Sequence, residues 1–472
     1  MNRLRSFYLF ALSICFLLSC NTTKKLAVPD INDTALNLPA KTTRLTATQL
    51  QTWGHADLAT DTIPGISLAK AYTFLAGKTS TTVIAAVTDT GIDIDHADLK
   101  PVIWTNGDDP VDGKDNDGNG FVDDINGWNF LGDTYDENLE MTRMVRMFKA
   151  EFGDKKMKEI APEKVADFKL YQKLAKQVGD SYHGSGTYYN VDFNARKGQP
   201  DPYDYAVKVY GNGNVKNSDN SEAHASHVAG IIGAARDGKG VEGIADNVQI
   251  MSLRVVPKGD EYDKDVALGI RYAVDNGAKV INASFGKSYS PKATWVHDAI
   301  KYAAEKDVVI VLSSGNSGEN IDVAPNFPND TPTYGQPEIA NNVITVGANT
   351  YNYDESLPAA FSNYGKKNVD IFAPGVTILS TVPSGKYRAM GGTSMAAPAV
   401  AGVVALIRSY YPKLSANQVK QIIMKSGTKI DFKVMTPGSE PTLVPFTDLC
   451  ISGRILNAYE AVKLADLMNG KI

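Results

Sequence analysis

The sequence predicts an α/β fold of three layers, with a mainly parallel central sheet between helices, and a helical insertion added to it. Three observations carry this. Short β-favouring runs recur at 82–87, 249–256, 279–283, 308–312 and 343–346. Segments with helical apolar spacing, 265–276 and 292–305, stand between them. Such alternation places helices on the faces of a parallel sheet, with function at the carboxyl ends of its strands. A third stretch, 138–177, has Met, Phe, Leu and Val at helical spacing but breaks the rhythm. Gly153 and Pro162 divide it into two candidate amphipathic helices.

The chain has 472 residues, 43% hydrophobic and 21% charged, enough for a core and unlike a disordered chain. Its formal charge of −5 argues against a nucleic-acid partner. No period of 20–50 residues repeats, which excludes a solenoid.

Taken in chain order, the first segment is MNRLRSFYLFALSICFLLSC. Arg3 and Arg5 precede an apolar run over 7–18. That run is shorter than the roughly 20 residues of a membrane span and suits the core of a signal peptide. It ends Leu17-Leu18-Ser19-Cys20, which resembles a bacterial lipobox. The resemblance implies cleavage before Cys20, a lipid on Cys20, and an exported protein anchored to a bacterial membrane. Residues 1–20 are thus read as a lipoprotein signal. Cys15 would leave with it, so Cys450 alone remains and no intramolecular disulfide is expected. Cys450 reads as a small buried hydrophobe. Residues 21–62 are polar and read as a tether. A single domain is expected over 63–472, with an insertion at about 131–204.

Residues 106–130 are dense in Asp, Asn and Gly. Asp115, Asp117, Asn119 and Asp123 supply oxygen donors at positions one, three, five and nine of a loop, with Gly120 at six. This is the front of an EF-hand-like calcium loop, so a structural calcium is expected. Asn126 stands at position twelve, where an EF-hand has Glu. Six histidines and no paired cysteines give no zinc constellation.

A serine hydroxyl is a poor nucleophile at neutral pH and needs an oriented base. Ser394 lies in Gly391-Gly392-Thr393-Ser394-Met395-Ala396-Ala397-Pro398, ahead of an apolar helical stretch. At a helix start its own backbone N–H is free to bind an oxyanion. Ala396 excludes the nucleophile elbow of α/β-hydrolases, which needs Gly there. His224 opens His224-Ala225-Ser226-His227-Val228-Ala229-Gly230, and Asp89 ends a strand in Val87-Thr88-Asp89-Thr90-Gly91.

These three segments, in this order, resemble the active-site signatures of the subtilases; the order Asp, His, Ser is the one subtilisin itself exemplifies. The resemblance covers 63–130 and 205–472. It implies a serine endopeptidase acting on proteins or peptides, with a subtilisin-like fold. Ser394 would be the nucleophile, His224 the base, and Asp89 its orienting partner. His227 would be structural. Asn316, in Ser313-Ser314-Gly315-Asn316, resembles the oxyanion-hole asparagine. Ser284-Phe285-Gly286 resembles the strand end along which the substrate backbone is laid. A monomer without organic cofactor is expected. Ala225 and Ser226 depart from the family's usual Gly and Thr, and Asp89 and His224 stand 135 residues apart, far more than in a compact subtilisin. The alternative is a catalytically silent member of the fold used as a binding or scaffold protein.

Overall fold

The computed structural model describes residues 27–30, 44–184, 186–332 and 336–471. The expected signal peptide, Cys20 and residues 31–43 of the tether lie outside the described residues. Seven parallel strands form the sheet: β1 (Val83–Asp89), β2 (Gly127–Asn129), β3 (Val248–Arg254), β4 (Val280–Ala283), β5 (Val309–Ser313), β6 (Val343–Asn349) and β7 (Ile371–Pro374). They lie in the order β7-β6-β5-β4-β1-β3-β2. Arg454–Ile455 extends the β7 edge in parallel, and Thr428–Lys429 closes it antiparallel.

Side chains alternate between the two faces of a strand, so each strand feeds two cores. Val83, Ala85 and Val87 of β1 join Val309 and Val311 of β5 under the helices His224–Gly233 and Thr393–Tyr410. Ala86 joins Ile281, Ile310 and Leu312 under Asp263–Asp275 and Ala293–Glu305. This is why the strands read as unbroken apolar runs: both faces are covered. Thr393–Tyr410 is long and apolar enough to cross a membrane, but 89% of it is buried inside this fold, as a core helix is.

The insertion forms the two expected helices, Glu140–Phe152 and Val165–Ser181. Gly153, at φ +52°, ends the first. Met144, Val145, Leu174 and Val178 make a small core between them, extended by the Phe148, Phe152 and Tyr171 rings.

Two parts differ from the sequence reading. The end of the 21–62 segment is folded onto the domain. Thr46 caps the helix Ala47–Thr52 in a reciprocal pair with Gln49. Trp53 is buried with Leu45 and Ile63, donates its indole N–H to the Val376 carbonyl at 2.9 Å, and meets Tyr351 edge-on. The polar average of the segment concealed one large apolar anchor. β2 and the antiparallel pair Ile378–Val382 with Lys386–Met390 were also unread, the former being only three residues long and the latter mostly polar on its outer strand.

Trp53→Ala should destabilise the domain by about 3–5 kcal/mol, the range for emptying a buried aromatic site. Denaturant unfolding checks it; a change under about 1 kcal/mol would mean that the segment contributes nothing to the fold.

Candidate active site

The parallel sheet brings the carboxyl ends of its strands to one edge, and the expected residues meet there. Asp89 is the last residue of β1, His224 the first of its helix, and Ser394 the second of the core helix. His224 Nδ1 lies 2.8 Å from Asp89 Oδ1 and 3.0 Å from Oδ2. Asp89 is fully buried, and its Oδ1 also accepts the Thr90 N–H at 2.7 Å. The carboxylate accepts, so Nδ1 carries the proton and Nε2 is left as the basic nitrogen. The His224 ring is 31% exposed. Desolvation pulls its pKa down, but the Asp89 charge and hydrogen bond outweigh that, and the pKa stands above the ordinary histidine value.

Ser394 is half-buried, and its hydroxyl donates to the Ser284 carbonyl at 2.9 Å. Among the described residues no hydrogen bond joins it to His224. The hydroxyl must therefore turn from Ser284 before the histidine can take its proton, a tightening common on substrate binding. The link to Ser284 is double. Pro398 lies inside the helix and has no N–H for the Ser394 carbonyl four residues earlier. The Ser284 hydroxyl donates to that freed carbonyl at 3.0 Å, and Asn282 Nδ2 supports Ser284 Oγ at 2.9 Å.

Asn316 follows β5 on an exposed turn. Gly315 before it has φ +103°, and a Cβ there would stand 2.4 Å from Asn363 Nδ2, so only glycine fits. The Thr393 N–H donates to Asn316 Oδ1 at 2.8 Å, with the Thr393 hydroxyl at 3.0 Å. A backbone N–H needs an acceptor, which settles the amide orientation and leaves Nδ2 as the outward donor. The Ser394 N–H sits in the first turn of its helix, without an intrahelical acceptor. Both donors lie 3.6 Å from the point where a Cβ on Gly392 would stand, so they border one small volume. The paired donors can stabilise a tetrahedral oxyanion.

The subtilase family matches residues 80–441 of this sequence. The chain belongs to the subtilase family. Subtilisin DY of Bacillus licheniformis is 36% identical over 208 residues, 44% of this chain and 71% of that protein. The cell wall-associated protease of Bacillus subtilis is 37% identical over 268 residues, 54% of this chain and 28% of that protein. A protease from Pseudoalteromonas arctica has the same fold, with a TM-score of 0.51 at 24% identity over 88% of this chain and 98% of that one.

The other residues singled out in this subtilase have mixed outcomes. His227 is fully buried, and its Nε2 faces the carbonyls of Ile378 at 3.0 Å and Arg388 at 2.9 Å. It donates there, and burial pulls its pKa to about 4, so it is a neutral structural residue. Cys450 is fully buried, and burial pushes its thiol up to about 11, which suits an inert side chain. Ser284 is buried, Phe285 half-buried and Gly286 exposed, at the free end of β4. The four residues expected to hold calcium do not all converge. Asp115 and Asp117 both accept the Asn119 N–H, whereas Asp123 turns to the Asp112 and Gly113 N–H groups. Among the described residues no group of three or more His, Cys, Asp or Glu is arranged to hold a metal.

Sequence reading missed the residues that hold Asp89 and His224 from behind. Glu222, two residues before His224, accepts the Gly91 N–H at 2.9 Å and the Arg254 guanidinium at 2.6 Å and 2.7 Å. Arg254 is fully buried at the end of β3 and also donates to the Lys216 carbonyl. The loop after Asp89 and the approach to His224 thus share one ion pair. No motif spacing signals it, though a charged residue ending a buried strand was visible.

A raised histidine pKa sets two opposite pH trends. Protonated His224 stabilises the fold fully below its unfolded value of about 6.5, and that contribution fades as pH rises through the folded pKa. Activity needs the neutral base, so kcat/KM should rise through that same folded pKa. Asp89→Asn should cut kcat about 10⁴-fold and lower the pH midpoint of the remainder. An unmoved midpoint in the pH–rate profile would detach Asp89 from the base.

Proposed function

We propose that this subtilase hydrolyses peptide bonds in proteins through Ser394, His224 and Asp89. The observation that carries the reading is the two-point hydrogen bond from His224 to buried Asp89, on the sheet edge that holds Ser394. Ser394 leaves the Ser284 carbonyl, gives its proton to His224 Nε2, and attacks the substrate carbonyl. Asn316 Nδ2 and the Ser394 N–H receive the negative oxygen. The intermediate collapses, His224⁺ protonates the leaving amine, and an ester remains on Ser394. Water, deprotonated by the same histidine, then attacks the ester, and His224⁺ returns that proton to the departing Ser394 oxygen as the second product is freed. Asp89 stabilises the imidazolium in both halves without taking its proton.

The proposal extends to place. The charged start, apolar run and Leu17-Leu18-Ser19-Cys20 support export and lipid attachment at Cys20. In sequence, residues 21–27 then separate the lipid from Val28, which is already buried in the main core.

Ser394→Ala in the full chain should abolish casein cleavage; subtilisin itself loses about 2 × 10⁶ in kcat on losing its serine. Asn316→Ala should lose about 10²–10³, again subtilisin's magnitude. Equal activity in wild type and Ser394→Ala would remove the nucleophile, and a folded wild type that fails to label with a fluorophosphonate would favour the silent scaffold. Cys20→Ser should release the protein from the membrane fraction; retention there would refute the lipid anchor.

A further inference from the structure

The insertion meets the rest of the chain beside the active-site edge, and the junction is built from buried charge. Lys287 directly follows the substrate edge 284–286. Its ammonium, 2% exposed, lies 2.9 Å from Glu140 Oε2 and 2.9 Å from Asp263 Oδ1, and donates to the Glu261 carbonyl at 2.7 Å. Glu140 is the first residue of the insertion's first helix and is itself buried. Its backbone N–H donates to Asp260 Oδ2 at 2.7 Å, and its carboxylate also accepts Arg143 Nη2 at 2.5 Å. Arg143 has no exposed surface. It donates to the carbonyls of Asn138, Asp260 and Glu261, and its guanidinium stacks 3.9 Å over the Tyr262 ring. The 258–263 loop and the far end of the substrate edge are therefore tied together by residues of the insertion.

A second seam runs to the histidine. The Lys258 N–H donates to the Tyr135 carbonyl at 2.6 Å, and the Glu137 N–H donates to the Lys258 carbonyl at 2.8 Å. Gly259, next after these contacts, has φ +136°, and a Cβ there would stand 2.4 Å from the Glu137 carbonyl, so the approach admits no side chain. Tyr135, Pro257 and Lys258 line one depression with His224. A hairpin merely resting on the outside would need no such junction: buried ion pairs are costly to form and are best attested as devices that fix register.

We propose that the insertion is the outer section of the substrate cleft. Glu140 and Arg143 are positioning residues that set the 258–263 loop and the 284–287 edge, and through them the binding of peptide residues remote from the cut bond. Ser284 touches Ser394, and Lys287 stands three residues on, about 10 Å along an extended chain. The effect therefore falls on substrates longer than the bond being cut. This inference rests on the peptidase reading, and the experiment separates the two.

The test compares wild type and Glu140→Gln, as full chains, on a single-residue ester and on peptides lengthened on either side of the cut bond. Ester hydrolysis should match wild type, which by itself reports an intact triad. Extended peptides should show KM raised about tenfold to a hundredfold with kcat within about twofold, the mark of lost uniform binding. Equal losses on ester and long peptides, or no loss on either, would overturn the proposal. Should the variant not fold, hydrogen exchange on the wild type decides. An extended peptide aldehyde should protect the amides of 140–146 and a single-residue aldehyde should not; identical exchange with both would overturn it.

Discussion

The hydrogen bond between Asp89 and His224 is the interaction on which the rest of the site depends. It joins residues 135 apart in sequence. One partner is fixed by a buried strand end and the other by a helix start. The burial of Asp89 makes the pairing strong and also obligatory, because an isolated carboxylate in that position would be costly. The Arg254–Glu222 pair repeats the logic one layer back. It gathers the Gly91 amide and the approach to His224 around a single guanidinium, so both ends of the Asp–His pair are referred to the end of β3.

Small departures from regular structure hold the serine. Pro398 withholds an amide from its own helix, and the vacant Ser394 carbonyl becomes an acceptor for Ser284. Gly315 permits a turn that no other residue could make, and Thr393 fixes the Asn316 amide that the turn presents. Each is a local irregularity compensated by one named hydrogen bond. Preorganisation of this kind is the largest single contribution in many enzymes, because the donors need not reorganise as charge develops.

The insertion uses charge where the main domain uses apolar packing. Its two helices share only a small core, and Glu140, Arg143 and Lys287 make the junction with the sheet edge. Such a junction adds little net stability, since desolvation offsets most of the attraction, but it tolerates few alternative registers. The hairpin's exposed lysines are ordinary by comparison; Lys164, for example, pairs with Glu151 at the surface.

Strands and core helices were legible in the sequence because apolar periodicity reports burial locally. The runs at 249–256 and 308–312 became β3 and β5 within two residues. Ser394, His224 and Asp89 were legible because each sits in a distinctive local motif. Tertiary structure alone decided what depends on long-range approach. It placed Trp53 of a polar segment into the fold, engaged Asp123 with the Asp112 and Gly113 amides, and set Glu140 against Lys287 across 147 positions. A charged or polar side chain carries no local sign of its partner. Its partner is fixed only when the folded chain removes water and leaves one group within reach.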